Sequence, residues 1–485
     1  MPEIHSDIGP DYLRDESRKT GTADSISFPL NEAEIADAVR WAAANGQCIT
    51  TQGARTGLTG GAVPSGGHIL NLSRMKTITD RDDLIVQPGV TLDEIRAHLK
   101  SRGNVFFAPD PTETTATIGG MASCNASGAR SFRYGATRES ILAARLVLAD
   151  GDVIALCRGQ CMATGRNFRL KTESGRVIEG DLPSYTTPAI KTASGYFVRD
   201  SMDLLDLFIG SEGTLGIFSE LHLKLQPWPA SVWGVMAFFG KEPDALAFVH
   251  AVRGLKDKPA SIEFFDSCSL NLLRSHRLEG APEVPADYHT AVYVEYHAAD
   301  EDEASGMVER MCEALDGCGG SEDRTWIATD DHERERIRLF RHALPEAVNT
   351  LIDERRKTDP AITKLGTDMA VPDDRLDELM ALYHASLERL GLEYVIFGHI
   401  GSNHVHVNIL PRTVKQFEQG KAQYLEWADA VIRMGGTVSA EHGIGKLKTP
   451  FLLKMMGARG IEDMRRLKRL FDPQCRLNPG NLFAC

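Results

Sequence analysis

Apolar residues at Ile35, Ala38, Val39 and Ala42 recur at helical spacing behind Asn31, a residue suited to cap a helix start. Glu34, three positions after the cap, predicts a capping box. Gly46 closes that helix, and Cys48–Thr51 reads as a short strand. Pro227-Trp228-Pro229 then marks a domain boundary. Beyond it, Ser231–Phe239, Ser261–Phe265 and Thr290–Tyr296 read as strands, and Asp244–Leu255 and Glu301–Leu315 as helices. Such strand–helix–strand repeats predict an α+β layer. Further on, Tyr394–Phe397 is β-prone, Gly401-Ser402-Asn403 supplies a turn, and His404–Ile409 alternates polar with apolar. Period two places His404, His406 and Asn408 on one face and Val405, Val407 and Ile409 on the other. His399, ending the incoming strand, is placed to meet the polar face across the hairpin.

That polar face carries the candidate chemistry. Three histidines within eight residues are followed by Ser439-Ala440-Glu441-His442-Gly443. Two imidazoles and a carboxylate with an open position form the ligand set of a catalytic divalent metal. A hydrogen-bonded histidine cluster on a half-exposed hairpin is the alternative.

Length predicts two or three domains, and 54 basic against 67 acidic residues, a net charge of −13, argues against nucleic-acid partners. No apolar run reaches the roughly 18 residues that span a bilayer. The N-terminus lacks a secretory h-region, and its early acidic residues (Glu3, Asp7, Asp11, Asp15, Glu16) do not suit a mitochondrial presequence. A soluble cytoplasmic protein is expected, with peripheral membrane association and a homodimer left open. The nine cysteines are scattered, and neither Cys157 with Cys161 nor Cys312 with Cys318 has iron–sulfur or zinc-ribbon spacing. Reduced thiols are expected, with any iron–sulfur clusters on another polypeptide.

Three glycine-rich segments occupy the N-terminal half: Gln52–Gly61, Pro109–Gly135 and Phe208–Ile217. Glycines let a backbone approach a ligand and turn successive N–H groups toward an anion. The first is neither a dinucleotide fingerprint nor a Walker loop. Taken singly, each is also readable as a surface turn. Together they suit an extended polar cofactor.

With these motifs the chain resembles the vanillyl-alcohol-oxidase-type (PCMH-type) FAD flavoproteins, and within them the D-2-hydroxyacid dehydrogenase branch of D-lactate, glycolate and D-2-hydroxyglutarate dehydrogenases. The likeness runs over roughly residues 20–485 and includes the glycine-rich loops, the Gly-His hairpin, Ser-Ala-Glu-His-Gly and the terminal Asp472-Pro473…Leu477-Asn478-Pro479-Gly480. It implies an α+β fold: a PCMH-type FAD-binding domain of two α+β subdomains over 1–228 and an antiparallel-sheet cap over 229–425. A helical segment, 426–485, would return to the flavin. Residues 152–190 read as an insertion, a hairpin or mobile loop whose simplest reading is a surface excursion.

The resemblance assigns Gly53, Ala54, Arg55, Thr56, Gly57, Gly60 and Gly61 to the FAD site, with Pro109, Asp110, Thr115, Gly119 and Gly120 of the second block. It adds Asn125, Gly128, Tyr134 and Gly135, then Glu212, Gly213 and Ile217, and finally Asn478. Covalently flavinylated relatives often carry histidine in the first loop; Arg55-Thr56 offers no such nucleophile, so FAD is expected to be non-covalent. His399, His406 and Glu441 become metal ligands for zinc, manganese or iron, and His442 the base. Arg341 falls where relatives clamp the substrate carboxylate, and Lys364 is a second candidate, although its local spacing departs from the D-2-hydroxyglutarate type. A separate electron acceptor is implied: a quinone, a cytochrome, an electron-transfer flavoprotein or an iron–sulfur partner.

The sequence departs from the usual Gly-His-x-Gly-Asp-Gly-Asn-x-His pattern at Ser402, Asn403 and His404. His404 thereby becomes a candidate ligand, a substrate contact, or a substitute for an amide hydrogen bond. Two rival functions are a transferase like the FAD-containing alkyl-glycerone-phosphate synthase and a non-catalytic flavin electron-transfer subunit. Glu441 speaks against the first, which would carry histidine there; the intact Glu-His pair speaks against the second.

Overall fold

In the computed structural model, which describes residues 1–81, 83–276 and 282–485, the chain leaves one folding unit twice and returns to it each time. Unit 1 comprises Met1–Gly128, Gly135–Trp228 and Ser439–Cys485; unit 2 comprises Ala129–Tyr134 and Pro229–Val438.

Unit 1 begins as its capping residues dictate. Asn31 accepts from Glu34 N at the head of the helix Glu32–Ala44, while the Glu34 carboxylate reaches Leu30 N at 2.9 Å instead of closing the box on Asn31. That helix buries Ile35, Ala38, Val39 and Ala42 against Ile49, Leu70 and Ile217. Removing this apolar stripe from water is what holds the helix in place. A four-stranded sheet has the order Ile4–His5, Ser25–Ser27, His68–Asn71, Ile49–Gln52. A five-stranded antiparallel sheet runs Ile78–Asp80, Leu84–Val86, Ile217–Leu223, Ile141–Val147, Val153–Cys157. The chain's last segment joins the edge of the first sheet: Leu477 pairs with Ile49, whose carbonyl accepts from Asn478 N at 2.7 Å.

The stretch 152–190 is more than an excursion. Its first strand, Val153–Cys157, completes the five-stranded sheet, and Asn167–Lys171 with Val177–Asp181 forms a hairpin. The buried side of that hairpin packs onto the C-terminal helix Thr449–Phe471, Phe168 stacking on Phe471 at 5.9 Å. The polar composition reflects only its outward positions. A second difference concerns the cysteines: Cys475 and Cys485 are joined as a disulfide, so not all nine are reduced. Their separation of ten residues gave no motif to flag them.

Unit 2 is built on a seven-stranded antiparallel sheet in the order Thr325–Ala328, Ser231–Phe239, Thr290–Ala298, Ser261–Phe265, Tyr394–His399, His404–Ile409, Leu365–Gly366. One face packs on the helix Asp331–Arg356, with Met236, Phe238, Phe265, Phe340 and Leu344 in the core between them. The C-terminal segment expected to start at 426 begins later. Residue 426 lies inside the helix Val414–Arg433, capped by Thr413 and burying Trp427, Ala428 and Val431, so its apolar period carries it through the expected boundary. Among the described residues no helix is long and apolar enough to cross a membrane.

Candidate functional site

In unit 1 the first glycine-rich loop leaves the strand Ile49–Gln52, and Gln52 ties down both of its sides. Its Nε2 donates to the carbonyls of Tyr12 (2.7 Å) and Ala62 (2.8 Å). A Cβ on Gly53 would come within 2.1 Å of Thr117 Oγ1, so this loop and the second block abut only because residue 53 lacks a side chain. Gly128 closes the second block on itself, its absent Cβ lying 1.8 Å from the Asp110 carbonyl oxygen. Ala54, Thr56, Gly57, Gly60 and Gly61 share the first loop with Arg55, whose guanidinium sits 4.7 Å above the Tyr12 ring.

In the second block, Thr117 caps the helix Ile118–Cys124, which holds Gly119 and Gly120 in its first turn. Asn125 ends that helix in the left-handed region, its Oδ1 accepting from Arg138 N at 3.0 Å. Asp110, after Pro109, pairs with Arg96 at 2.6 Å, and exposed Thr115 donates to Glu113. Thr51 Oγ1 and Ser211 Oγ are buried without a hydrogen-bond partner among the described residues. Closely set backbone with unfilled hydroxyls is what an extended dinucleotide cofactor requires, so these segments fit FAD.

Glu212 and Asn478 act as a clamp. Asn478 Oδ1 accepts from Thr51 N (2.7 Å) and its Nδ2 donates to the Glu212 carbonyl (2.7 Å), joining first loop, third loop and C-terminus. The buried Glu212 carboxylate accepts from Ile444 N (2.6 Å) and Gly445 N (2.8 Å). Burial pushes its pKa up to about 7 despite those two bonds. Because the folded value lies above the unfolded value of 4.5, the native state binds the extra proton. Its stabilising effect is full below pH 4.5 and is lost as pH rises through about 7. Thermal melts across that window should fall with pH in the parent and flatten in Glu212→Gln; identical slopes would refute the assignment. Gly213 adjoins Asn478, and the Ile217 side chain lies in the core against the first helix.

Glu441 and His442 also belong to unit 1. The Glu441 carboxylate forms an ion pair with Lys191 and accepts from Ser127 Oγ at 3.3 Å. The Lys191 and Glu441 side chains are 6% and 10% exposed. Lys191 was not singled out from sequence, since nothing local marks a partner 250 residues away. The His442 carbonyl accepts from Thr59 Oγ1 at 3.3 Å.

Unit 2 gathers His399, His404 and His406, with His399 opposite His404 in the hairpin register. His399 Nδ1 lies 2.8 Å from Glu263 Oε1, and His406 Nδ1 lies 2.9 Å from the Thr367 carbonyl oxygen. His404 is fully buried with Asp368, its Nε2 3.1 Å from Asp368 Oδ1. A ring nitrogen held by an acceptor carries the proton and leaves the opposite nitrogen as the basic one. Histidines backed in this way suit a metal, so the cluster fits a divalent ion. The turn also explains one departure: Asn403 has φ 52°, a left-handed geometry that asparagine tolerates, and its side chain bonds Arg253 and Asp373.

Arg341 lies with its guanidinium 4.5 Å above the Tyr293 ring and its Nη2 3.8 Å from Glu263 Oε2. Tyr134 falls in this unit and bonds His297 Nδ1 through its hydroxyl at 2.8 Å, while Gly128 and Gly135 on either side of its segment fall in unit 1. Glu295 joins the same network: burial opposes its charge, but Arg130 and His297 hold its carboxyl well below the usual range. Lys364 is partly buried just before the edge strand Leu365–Gly366.

Fold and site together define a two-unit FAD-binding α+β oxidoreductase. The model of the C-terminal domain of FAD-linked oxidases matches residues 229–482, and that of an FAD-binding domain matches 23–156. The chain belongs to the FAD-linked oxidase family. It is 30% identical to a D-2-hydroxyglutarate dehydrogenase of Xanthomonas citri pv. viticola, covering 97% of this chain and 92% of that one. It is 29% identical to glycolate oxidase subunit GlcD of Bacillus subtilis (95% and 89%) and 28% to a D-lactate dehydrogenase of Anaerostipes hadrus (99% and 94%). Among solved structures, p-cresol methylhydroxylase shares the fold with a TM-score of 0.70 at 16% identity, over 98% of this chain and 92% of that one. An alkyldihydroxyacetonephosphate synthase gives 0.63, also at 16%, over 95% and 77%.

Arg55 and Thr56 offer no imidazole for flavin attachment, so acid precipitation should release the flavin and leave a colourless pellet. Flavin retained by the denatured polypeptide would overturn non-covalent binding.

Proposed function

We propose that the protein oxidises a D-2-hydroxy acid of the D-lactate, glycolate or D-2-hydroxyglutarate kind to the 2-oxo acid. The observation that carries this reading is the histidine face of unit 2, each imidazole backed by an acceptor, with an arginine on the same Glu263 carboxylate. The names of relatives matching nearly the whole chain support it.

The reaction breaks the O–H bond of the 2-hydroxyl, releasing a proton, and the C2–H bond, releasing a hydride, as the carbonyl forms. FAD, when bound, supplies the hydride acceptor. His399, His406 and Glu441 would hold a divalent ion, which would supply Lewis acidity toward the substrate hydroxyl, and zinc, manganese or iron would suit that nitrogen–oxygen set. The protein's own residues do the positioning and the proton transfer. Arg341 pairs its planar fork with the substrate carboxylate, held in place by Tyr293 and Glu263. Lys364 serves as a second cation for the substrate. His442 accepts the hydroxyl proton, a general-base role that an imidazole can fill. The electrons then pass to a separate acceptor.

Anaerobic mixing with a panel of D- and L-2-hydroxy acids tests the proposal. A D-acid should bleach the flavin, and a panel that leaves it oxidised would overturn the reading. Glu441→Gln should lower metal occupancy in elemental analysis while FAD stays bound, because the bonds from Thr59 and Glu212 that join this segment to the cradle go to backbone groups the substitution leaves in place; unchanged occupancy would remove Glu441 from the ligand set.

A further inference from the structure

His404 stands where the family pattern has an amide, and the proposed reaction gives it no task. It is nonetheless at the centre of the histidine face. The His404 ring centroid lies 4.4 Å from that of His406 and 5.6 Å from that of His399, and the remaining side of the triangle is 5.8 Å. An imidazole nitrogen bound at about 2.1 Å puts its ring centroid roughly 3.2 Å from the ion. Ligands about 85° to 130° apart then have centroids about 4.3–5.8 Å apart. The observed triangle has the size that three imidazoles make around one ion.

The oxygens facing each ring set the orientation. His399 and His406 are held from outside through Nδ1, by the Glu263 carboxylate and the Thr367 carbonyl. His404 instead faces Asp368 with its other nitrogen, Nε2 lying 3.1 Å from Asp368 Oδ1. A carbonyl or carboxylate oxygen only accepts, so in neutral rings the lone pairs sit on Nε2 of His399 and His406 and on Nδ1 of His404. The reversed tautomer follows from the register: His404 and His406 alternate along one strand, and their rings meet edge to face at 69°. Thr367 and Asp368 are consecutive residues beyond the edge strand Leu365–Gly366. One short segment therefore backs two histidines, and Glu263 backs the third. Carboxylate and carbonyl partners of this kind fix ligand histidines and raise their basicity.

We infer that His404 is a metal ligand through Nδ1, so that unit 2 contributes three imidazoles to the divalent ion, with Asp368 as the positioning residue behind His404. The inference rests on the proposal that His399 and His406 bind a metal. A third imidazole in place of an amide makes the set richer in nitrogen, which favours zinc, iron(II) or cobalt(II) over manganese.

The test uses the full-length flavoprotein, stripped of metal by chelation and titrated with Co²⁺. Visible absorption and chelator competition give affinity, and X-ray absorption at the cobalt edge counts imidazoles. The parent should show three. His404→Asn, which places the family's amide there, should show two and bind Co²⁺ at least about tenfold more weakly. Asp368→Asn should keep three while affinity falls about 10–100-fold. Two imidazoles in the parent, or His404→Asn with parental affinity and spectrum, would overturn the inference and leave the His399–His406 site standing. A parent that binds no Co²⁺ would overturn the metal proposal as well. Flavin absorbance reports whether each variant is folded; if His404→Asn fails to fold, the parent's imidazole count decides alone.

Discussion

His442→Asn should slow flavin reduction by a 2-hydroxy acid about 10²–10⁴-fold, the usual contribution of a positioned base. Metal content and FAD affinity should stay near parental values. The reason lies in how its segment is held. The Ser439 carbonyl accepts from Ala193 N (2.9 Å) and Ser194 Oγ (3.1 Å), and Ser439 Oγ donates to the Gly443 carbonyl (2.7 Å). On the other side, Gly445 sits at φ 51° with its Cα packed so tightly that a Cβ would be 2.2 Å from the Thr59 carbonyl oxygen. The backbone around His442 is therefore fixed by groups other than its own ring. In the proposed mechanism, removing the imidazole would remove the proton acceptor without releasing Glu441. A loss confined to the reductive rate, with little change in substrate affinity, is the signature of a group that acts mainly in the transition state. Single-turnover reduction within a few-fold of the parent would remove His442 from that role.

Local pattern made the hairpin legible. Period-two alternation places His404, His406 and Asn408 on one face because a strand offers no other choice, and the turn length fixes His399 opposite His404. The strands Ser231–Phe239 and Ser261–Phe265 and the helix starting at Glu301 are equally local, being set by apolar runs and by Asp300 as an N-cap. What stayed hidden is long-range pairing. Glu263 lies 136 residues from His399, and Ser439 meets Ala193 and Ser194 from the far end of the chain. Nothing in the periodicity of either partner encodes such a bond. Tyr134 and Ile217 show the same limit from the other side. Both sit beside glycine-rich segments, yet the tyrosine hydroxyl bonds His297 and the isoleucine side chain fills a core position. Position in a motif specifies the backbone path more firmly than it specifies where a side chain goes. The hairpin within 152–190 was obscured for a different reason: its exposed positions are so polar that Phe168, Leu170 and Ile178, all buried, are too few to stand out.

Lys191→Met should destabilise the metal-free protein by about 3–5 kcal/mol, the usual cost of removing one partner from a buried ion pair. The lysine packs at the end of the 152–190 region, and its ammonium also donates to the Gly128 carbonyl at 3.4 Å. Methionine keeps the apolar stem and deletes the charge, so the effect reports on electrostatics more than on packing. Glu441 would then keep its carboxylate in a largely buried position with the Ser127 hydroxyl but without the ammonium. A double substitution with Glu441→Gln should recover much of the loss, because the group left uncompensated is gone; the coupling in that cycle measures the pair. Metal should act in the same direction. If Glu441 is a ligand, a divalent cation replaces the missing ammonium charge, and saturating metal should raise the melting temperature of Lys191→Met more than that of the parent. A metal-free variant that melts with the parent would show that the pair contributes nothing net. A destabilised variant that metal does not rescue would separate the two roles of Glu441, leaving it the partner of Lys191 and not a ligand.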